Sequence, residues 1–371
     1  MPASLGRHFA IQSAGILKFR LPEALQFKVV NRSGAVTLTA EFKGDRVMTQ
    51  SVRWAILGAA KFAREHMGPA IHLARGAELS AIATRNATKA APFQEFHPGI
   101  RVIDSYDAAL ADPDIDAIYI PLPNTMHAQW SMKVMDAGKH VLCEKPMTMQ
   151  ADEFDALIAK RDVTGLIAAE AYMIVHHPQW QRVKTLLADG AIGRLVHVDG
   201  AFSFDNSADT DNIRNQAALG GGGLRDIGVY TMGSVRFATG AEPEAVDARI
   251  EWQDGFDTFA HVTAQFPGFT YSAFTSTRMH PRQEMTFHGE NGVIRLTTPF
   301  NAAVFGQAEV HLHRGLSVEV ERFPSVKQYV NQVEAFCNSV TTGADYPCPL
   351  EFSQGTQAMM DRAFVAGGAR T

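Results

Sequence analysis

An α/β fold in two parts is predicted: an N-terminal doubly wound parallel sheet, then an α+β part with a large, mostly antiparallel open sheet. Three observations predict it. From Val52 to Tyr172 short apolar runs alternate with helical stretches, the signature of parallel strands joined by right-handed crossovers. After Glu170-Ala171-Tyr172 the pattern changes to two-residue alternation between Gly, Pro and Asp turns, as an antiparallel sheet requires. At 371 residues, 46% of them hydrophobic, the chain exceeds one ordinary domain and can build a sizeable core. The expected divisions are 1–51 as an N-terminal extension outside the functional fold, 52–172 as the parallel part, and 173–371 as the second part with C-terminal helices.

In the extension, Phe27 to Thr39 has the pattern of a hairpin turning at Asn31 to Gly34. No repeat or leader-like layout explains the rest of it, and Met48-Thr49-Gln50-Ser51 runs directly into the first convincing strand. The first strand is expected at Val52–Leu57, followed by a tight turn, Gly58 to Ala63, into a helix reaching about Arg75. Further strands are expected at Leu79–Ala83, Val102–Ile103, Ala117–Ile120 and Val141–Cys143, with helices at Ala87–Phe96 and Tyr106–Ala111. Pro121-Leu122-Pro123-Asn124 opens another helix, which Gly138 closes. In the second part a helix is expected from Pro178 to Asp189, ending at Gly190. Strands follow at Leu195–Phe204, Ala245–Trp252, Thr258–Phe266, Thr270–Thr277, Glu284–His288, Val293–Leu296 and Glu309–Val320. An amphipathic helix with Tyr329, Val333 and Phe336 on one face, and another from about Ser353, complete the chain.

Composition narrows the function classes. A net charge of −5 and a pI of about 6.3 lack the basic footprint of a nucleic-acid binder. No apolar run reaches the roughly 18 residues that span a bilayer. Cys143, Cys337 and Cys348 are odd in number and without CxxC spacing, which suits reduced thiols in a cytoplasmic protein.

The chemistry centres on His140-Val141-Leu142-Cys143-Glu144-Lys145-Pro146. Three apolar residues make a short buried strand, and Pro146 ends it, so Lys145 is presented at a strand mouth. In open parallel sheets that is where ligands bind. The alternative is a solvated start to an ordinary βα loop. A dinucleotide fingerprint wants G-x-G-x-x-G/A between the first strand and helix. Gly58, Ala60 and Ala63 stand there, so the middle glycine is missing and a plain βα turn remains the alternative. At the second strand's end, where a carboxylate would select NAD, the chain has Thr84-Arg85-Asn86. A guanidinium there pairs with a 2′-phosphate, so NADP is expected, with NAD possible. Farther along, Gly220-Gly221-Gly222-Gly223 feed a helix on which Asp226 and Tyr230, four apart, share one face. They are either a surface hydrogen-bond pair or, beside Lys145, a proton-transfer pair with a lowered phenol pKa.

Together these residues resemble the Gfo/Idh/MocA family of oxidoreductases, across Val52 to Gly367. The resemblance rests on Gly58 to Ala63, Pro123-Asn124-Thr125-Met126-His127, Glu144-Lys145-Pro146, Gly190-Ala191-Ile192-Gly193 and Gly221 to Tyr230. It implies a Rossmann domain and a C-terminal domain whose open sheet often makes a dimer interface, hence a homodimer or dimer of dimers. It implies Lys145, Asp226 and Tyr230 as catalytic residues, with Lys145 stabilising the oxyanion and Asp226 orienting substrate or lysine. It implies cofactor contacts from Gly58, Ala59, Ala60, Lys61, Phe62, Thr84, Arg85, Pro121, Asn124, His127, Glu144 and Lys145, with Asn124 and His127 bordering the nicotinamide. Pro121 to His127, Glu170 to Met173 and His177-Pro178-Gln179 are most similar to the branch of NADP-dependent xylose dehydrogenases, dihydrodiol dehydrogenases and anhydrofructose reductases. That branch often has Tyr-Arg after the methionine, where this chain has Ile174-Val175. The implied reaction moves a hydride between NADP and a hydroxyl or carbonyl carbon of a sugar, polyol or diol. Alternatives on the same fold are a nicotinamide-binding sugar sensor and a lyase or hydrolase that recycles its cofactor. His176-His177 lacks a third ligand at sensible spacing, so capping or packing is expected there and no metal.

Overall fold

The computed structural model describes residues 51–369 and the backbone of 26–32 and 35–41. The chain divides into two units, Met1–Thr49 and Gln50–Thr371. In the first, strands β1 (Gln26–Arg32) and β2 (Ala35–Glu41) pair antiparallel from Gln26↔Glu41 to Arg32↔Ala35, the hairpin expected there. Its turn residues Ser33 and Gly34, and the lead-in at 48–50, lie outside the described residues.

The second unit begins with six parallel strands: β3 (Val52–Leu57), β4 (Ala77–Ala83), β5 (Arg101–Ile103), β6 (Ala117–Ile120), β7 (His140–Cys143) and β8 (Ala168–Glu170), in the order β5-β4-β3-β6-β7-β8. Chain order runs outward both ways from β3, so the sheet is doubly wound and its switch point lies between β3 and β6. Helices α1 (Gly68–Leu73), α2 (Ala87–Phe96), α3 (Tyr106–Ala111), α4 (His127–Asp136) and α5 (Glu153–Thr164) connect the strands. Side chains of β3 alternate between two buried layers, Trp54 and Ile56 to one, Ala55 and Leu57 to the other. A strand covered on both faces reads as a continuous apolar run, which is why Val52–Leu57 was legible. The first helix differs from expectation: it opens as a π-helical turn, Ala63–Met67, before α1. Pro69 has no N–H for the carbonyl of Glu65, and the turn widens ahead of it.

Past α6 (Pro178–Ala188), strand β9 (Leu195–Asp205) enters a second sheet. A glycine-rich turn leads to a π-helical segment, Leu224–Gly228, continued by α7 (Val229–Thr239). Strands β10 (Ala245–Gln253), β11 (Phe256–Phe266), β12 (Phe269–Ser276), β13 (Arg278–Gly289), β14 (Val293–Leu296), β15 (Glu309–Arg314) and β16 (Ser317–Arg322) complete eight strands in the order β10-β11-β12-β9-β13-β14-β15-β16. Only β9 and β12 pair parallel. The single strand expected over Glu309–Val320 is two, because Gly315 at φ 55° turns the chain back on itself. Asp254 and Gly255, both at positive φ, make the hairpin between β10 and β11.

Two helices close the fold, α8 (Gln328–Thr342) and α9 (Leu350–Ala366). The α8 face expected from Tyr329, Val333 and Phe336 packs on the first sheet: the Phe336 ring lies 4.9 Å from Trp54, and Tyr329 lies 5.6 Å from Phe62. One core therefore runs from β3 to the inner face of the second sheet. No helix among the described residues is long and apolar enough to cross a membrane.

Candidate active site

The loops at the carboxyl ends of β3, β4, β6 and β7 come together at the switch point. Gly58 leaves β3 at φ 91°, and a Cβ there would lie 3.0 Å from the Tyr106 hydroxyl and 3.2 Å from Leu122. Glycine is needed for both reasons. Ala59 and Ala60 are half-buried, Lys61 is exposed, and Phe62 faces Tyr329. At the end of β4, Thr84 is buried and its Oγ1 accepts from the Asn86 amide at 3.2 Å, so this hydroxyl shapes the loop. Arg85 projects into solvent, its charge acting on the Tyr106 phenol, which burial otherwise pushes up. A positive-φ glycine at the strand end and a free guanidinium one strand away fit a dinucleotide carrying a 2′-phosphate.

After β6, Pro121 is buried and Asn124 Nδ2 donates to the Gly220 carbonyl at 3.0 Å. His127 departs from expectation. It is buried, with Nδ1 2.7 Å from the Pro146 carbonyl and Nε2 2.7 Å from that of Leu122. Each ring nitrogen lies against a backbone carbonyl of the loops after β6 and β7, and the neutral ring that burial favours donates to one of the two. Glu144 accepts from the Tyr119 hydroxyl at 2.6 Å, and burial pushes its carboxyl up to about 7 against the pull of that bond and of Lys145.

Lys145 and Asp226 meet across 81 residues of sequence. Lys145 Nζ donates to Asp226 Oδ1 at 2.9 Å and to its carbonyl at 2.6 Å, with side chains only 9% and 12% exposed. The same ammonium sits over the Tyr230 ring, 4.9 Å from its centre. Asp226 also accepts from Arg214 through Nε–Oδ2 at 2.5 Å and Nη2–Oδ1 at 3.1 Å. Burial would raise this carboxyl, but Arg214 and then Lys145 overcome it and hold it well below the usual carboxylate range. The phenol goes the other way from expectation. Burial, followed by Tyr329, Glu144 and Asp226, pushes Tyr230 well above its ordinary value, and Lys145 faces the ring rather than the hydroxyl. Rings of Tyr172, Phe202 and Phe300 lie 5.6 to 5.8 Å from it, and Tyr172 Oη donates to the Tyr230 carbonyl at 3.1 Å. An ammonium has three donors and Asp226 takes two, so one remains for a reacting oxygen.

Two family models cover most of the chain. Residues 52–172 match the oxidoreductase family with an NAD-binding Rossmann fold, and residues 180–295 match the GFO/IDH/MocA C-terminal domain. The chain belongs to the Gfo/Idh/MocA family of oxidoreductases. Among its relatives, dTDP-3,4-didehydro-2,6-dideoxy-α-D-glucose 3-reductase of Actinomadura kijaniata is 32% identical over 86% of this chain and 96% of its own. D-xylose 1-dehydrogenase (NADP(+)) 2 of Haloferax volcanii is 32% identical over 78% and 89%. The crystal structure of KijD10, a 3-ketoreductase from Actinomadura kijaniata, with NADP and TDP-benzene superposes with a TM-score of 0.79 at 28% identity, covering 85% and 98%.

Within the Gfo/Idh/MocA framework, this fold brings Lys145, Asp226 and Tyr230 together, with Glu144 adjoining, and leaves His127 in a bracing position. It also adds a residue that sequence reasoning missed. Arg214 stands in the loop between β9 and the glycine-rich turn, and its only sequence signal is being one arginine among Asp and Asn residues, from Asp205 to Asn215. His177 caps α6 through Nδ1, accepting from the Gln179 amide at 3.1 Å, and His176 Nε2 lies 3.1 Å from the Tyr346 hydroxyl.

Proposed function

We propose that this oxidoreductase moves a hydride between NADP and a hydroxyl or carbonyl carbon of a sugar, polyol or diol, with Lys145, Asp226 and Tyr230 as its reacting groups. The observation that carries the reading is one ammonium held between a buried carboxylate and the ring of a buried phenol, at the mouth of β7. When bound, NADP gives or accepts the hydride. Ala59, Ala60, Lys61 and Phe62 would line its pyrophosphate beyond Gly58, Arg85 would meet its 2′-phosphate, and Asn124 and Glu144 would border the site.

Burial keeps the Tyr230 phenol protonated; a neutral phenol gives its proton to a carbonyl oxygen as that carbon is reduced, and oxidation is the same step reversed, so the raised pKa must be offset by the neighbouring ammonium during transfer. The ammonium over its ring stabilises the phenolate left behind, while the spare Lys145 proton polarises the reacting oxygen. Asp226 fixes the ammonium between them. The relatives named for dTDP-sugar reduction and xylose oxidation support the substrate class.

The reading includes a homodimer or dimer of dimers, supported by exposed Val318 and Val320 of β16, which pair with His313 and His311 on the face of the sheet turned away from core Val310 and Leu312. It includes a cytoplasmic location, supported by three buried free thiols. Sedimentation tests the first.

The deciding experiment follows reduced-nicotinamide absorbance with NADP against pentoses, hexoses, anhydrosugars and vicinal diols, and NADPH consumption with keto sugars, free and nucleotide-linked. Substrate-dependent change with stoichiometric release of the altered cofactor is expected. Tight NADP binding without net redox on any of these would point to a sensor or a cofactor-recycling lyase.

A further inference from the structure

We propose that Asp257, on the second sheet, is a positioning residue whose carboxyl oxygen, by accepting from the Leu224 amide, holds the segment bearing Asp226 and Tyr230 in register with Lys145. Its side chain is fully buried at the start of β11, and Oδ2 accepts from the Leu224 amide at 2.7 Å, at the first turn of that segment. The chain can come so near only because it is glycine: a Cβ on Gly222, at φ 110°, would overlap Asp257 Oδ1, and one on Gly223 would touch Oδ2 at 3.4 Å.

This turn is where the site's other supports converge. Asn124 Nδ2 bonds the Gly220 carbonyl, the Gly222 amide bonds the Arg214 carbonyl at 2.9 Å, and the Asp226 amide bonds the Gly222 carbonyl at 3.4 Å. A carboxyl pinning Leu224 therefore fixes the turn that carries Asp226 two residues on, and Gly222 in the same turn bonds the arginine that shares Asp226 with Lys145. Charge adds a second hold. Arg225 stacks 4.4 Å over Phe364 of α9, feels the charges of Asp257 and Asp361, and leaves Nε without a hydrogen-bond partner, as Asp257 leaves Oδ1. These two buried unpaired groups attract, and Arg225 immediately precedes Asp226.

The charge is kept at a cost in stability. Burial pushes the Asp257 carboxyl up to about 6, against the Leu224 amide and Arg225. A folded-state pKa above the unfolded value means that the native state binds the proton more tightly; this group's contribution is present below the unfolded pKa and is lost as pH rises to about 6.

This inference rests on the triad proposed above, so its test has a readout besides turnover. Hydrogen exchange of the amides of Leu224 to Tyr230 is measured in the full chain, corrected for intrinsic rates, in wild type, Asp257→Ala, which removes the acceptor, and Asp257→Asn, which keeps an acceptor oxygen. Exchange there about tenfold faster is expected in Asp257→Ala, with strands β3 to β7 unchanged and Asp257→Asn close to wild type. The kcat of Asp257→Ala should drop about tenfold with KM little changed and be largely restored in Asp257→Asn, whose thermal stability should lose the fall between pH 4 and 6. Equal exchange and equal kcat in Asp257→Ala and wild type would overturn the proposal, as would uniformly faster exchange throughout the chain. If Asp257→Ala does not fold, wild type decides: a Leu224 amide that exchanges at the intrinsic rate would overturn it. Absence of turnover in wild type would count against the triad while leaving the exchange result to judge Asp257.

Discussion

Lys145 carries one positive charge and three protons, and the structure accounts for most of both. Asp226, shared with Arg214, faces the charge and accepts two of the ammonium's hydrogen bonds, Tyr230 presents a ring face to the same ammonium, and one donor is left for chemistry. Positioned proton transfer contributes about 10² to 10⁴ in rate. Tyr230→Phe and Lys145→Ala should therefore each lose at least about a hundredfold in kcat while binding NADPH within severalfold of wild type, measured by nicotinamide fluorescence. Turnover within about tenfold of wild type in either variant would remove that residue from the reaction. Residue types were legible here, but the sense of the phenol's shift was not. A lysine near a tyrosine in sequence logic lowers its pKa; a lysine over the ring of a buried tyrosine does not outweigh desolvation.

Among elements, the loop joining β4 to α2 shows how local rules leave one side chain projecting. Asn86 caps α2 by accepting from the Thr88 amide at 3.0 Å, Thr84 closes the bend, and Arg85 between them is left projecting. One charge-assisted contact contributes on the order of 1.5 to 3 kcal/mol, or about ten- to a hundredfold in affinity. Arg85→Ala should lower the ratio of kcat/KM for NADP to that for NAD by that factor, and an unchanged ratio would assign the phosphate to another residue. Caps and strand ends of this kind are written in a few adjacent residues and were readable. The π-helical turn before Gly68 and the break at Gly315 were not, because each depends on a single Pro or Gly acting inside an otherwise regular pattern.

At the scale of the whole molecule, α8 fastens the end of the chain to its first sheet. Phe336 and Trp54 are both fully buried with rings 4.9 Å apart. Removing a core phenylalanine costs about 3 to 5 kcal/mol, so Phe336→Ala should lower the denaturant midpoint by a corresponding amount; a change under about 1 kcal/mol would show that α8 does not brace this sheet. Sequence by itself determined the two-part architecture, the doubly wound sheet, the lysine at a strand mouth and the arginine where a carboxylate would select NAD, since each follows from periodicity or from neighbouring residues. Tertiary structure alone decided that Arg214 shares Asp226, that His127 braces two loops and that Asp257 reaches the glycine turn from β11. Those relations join residues remote along the chain, and burial, which only the packed fold creates, sets the charges they hold.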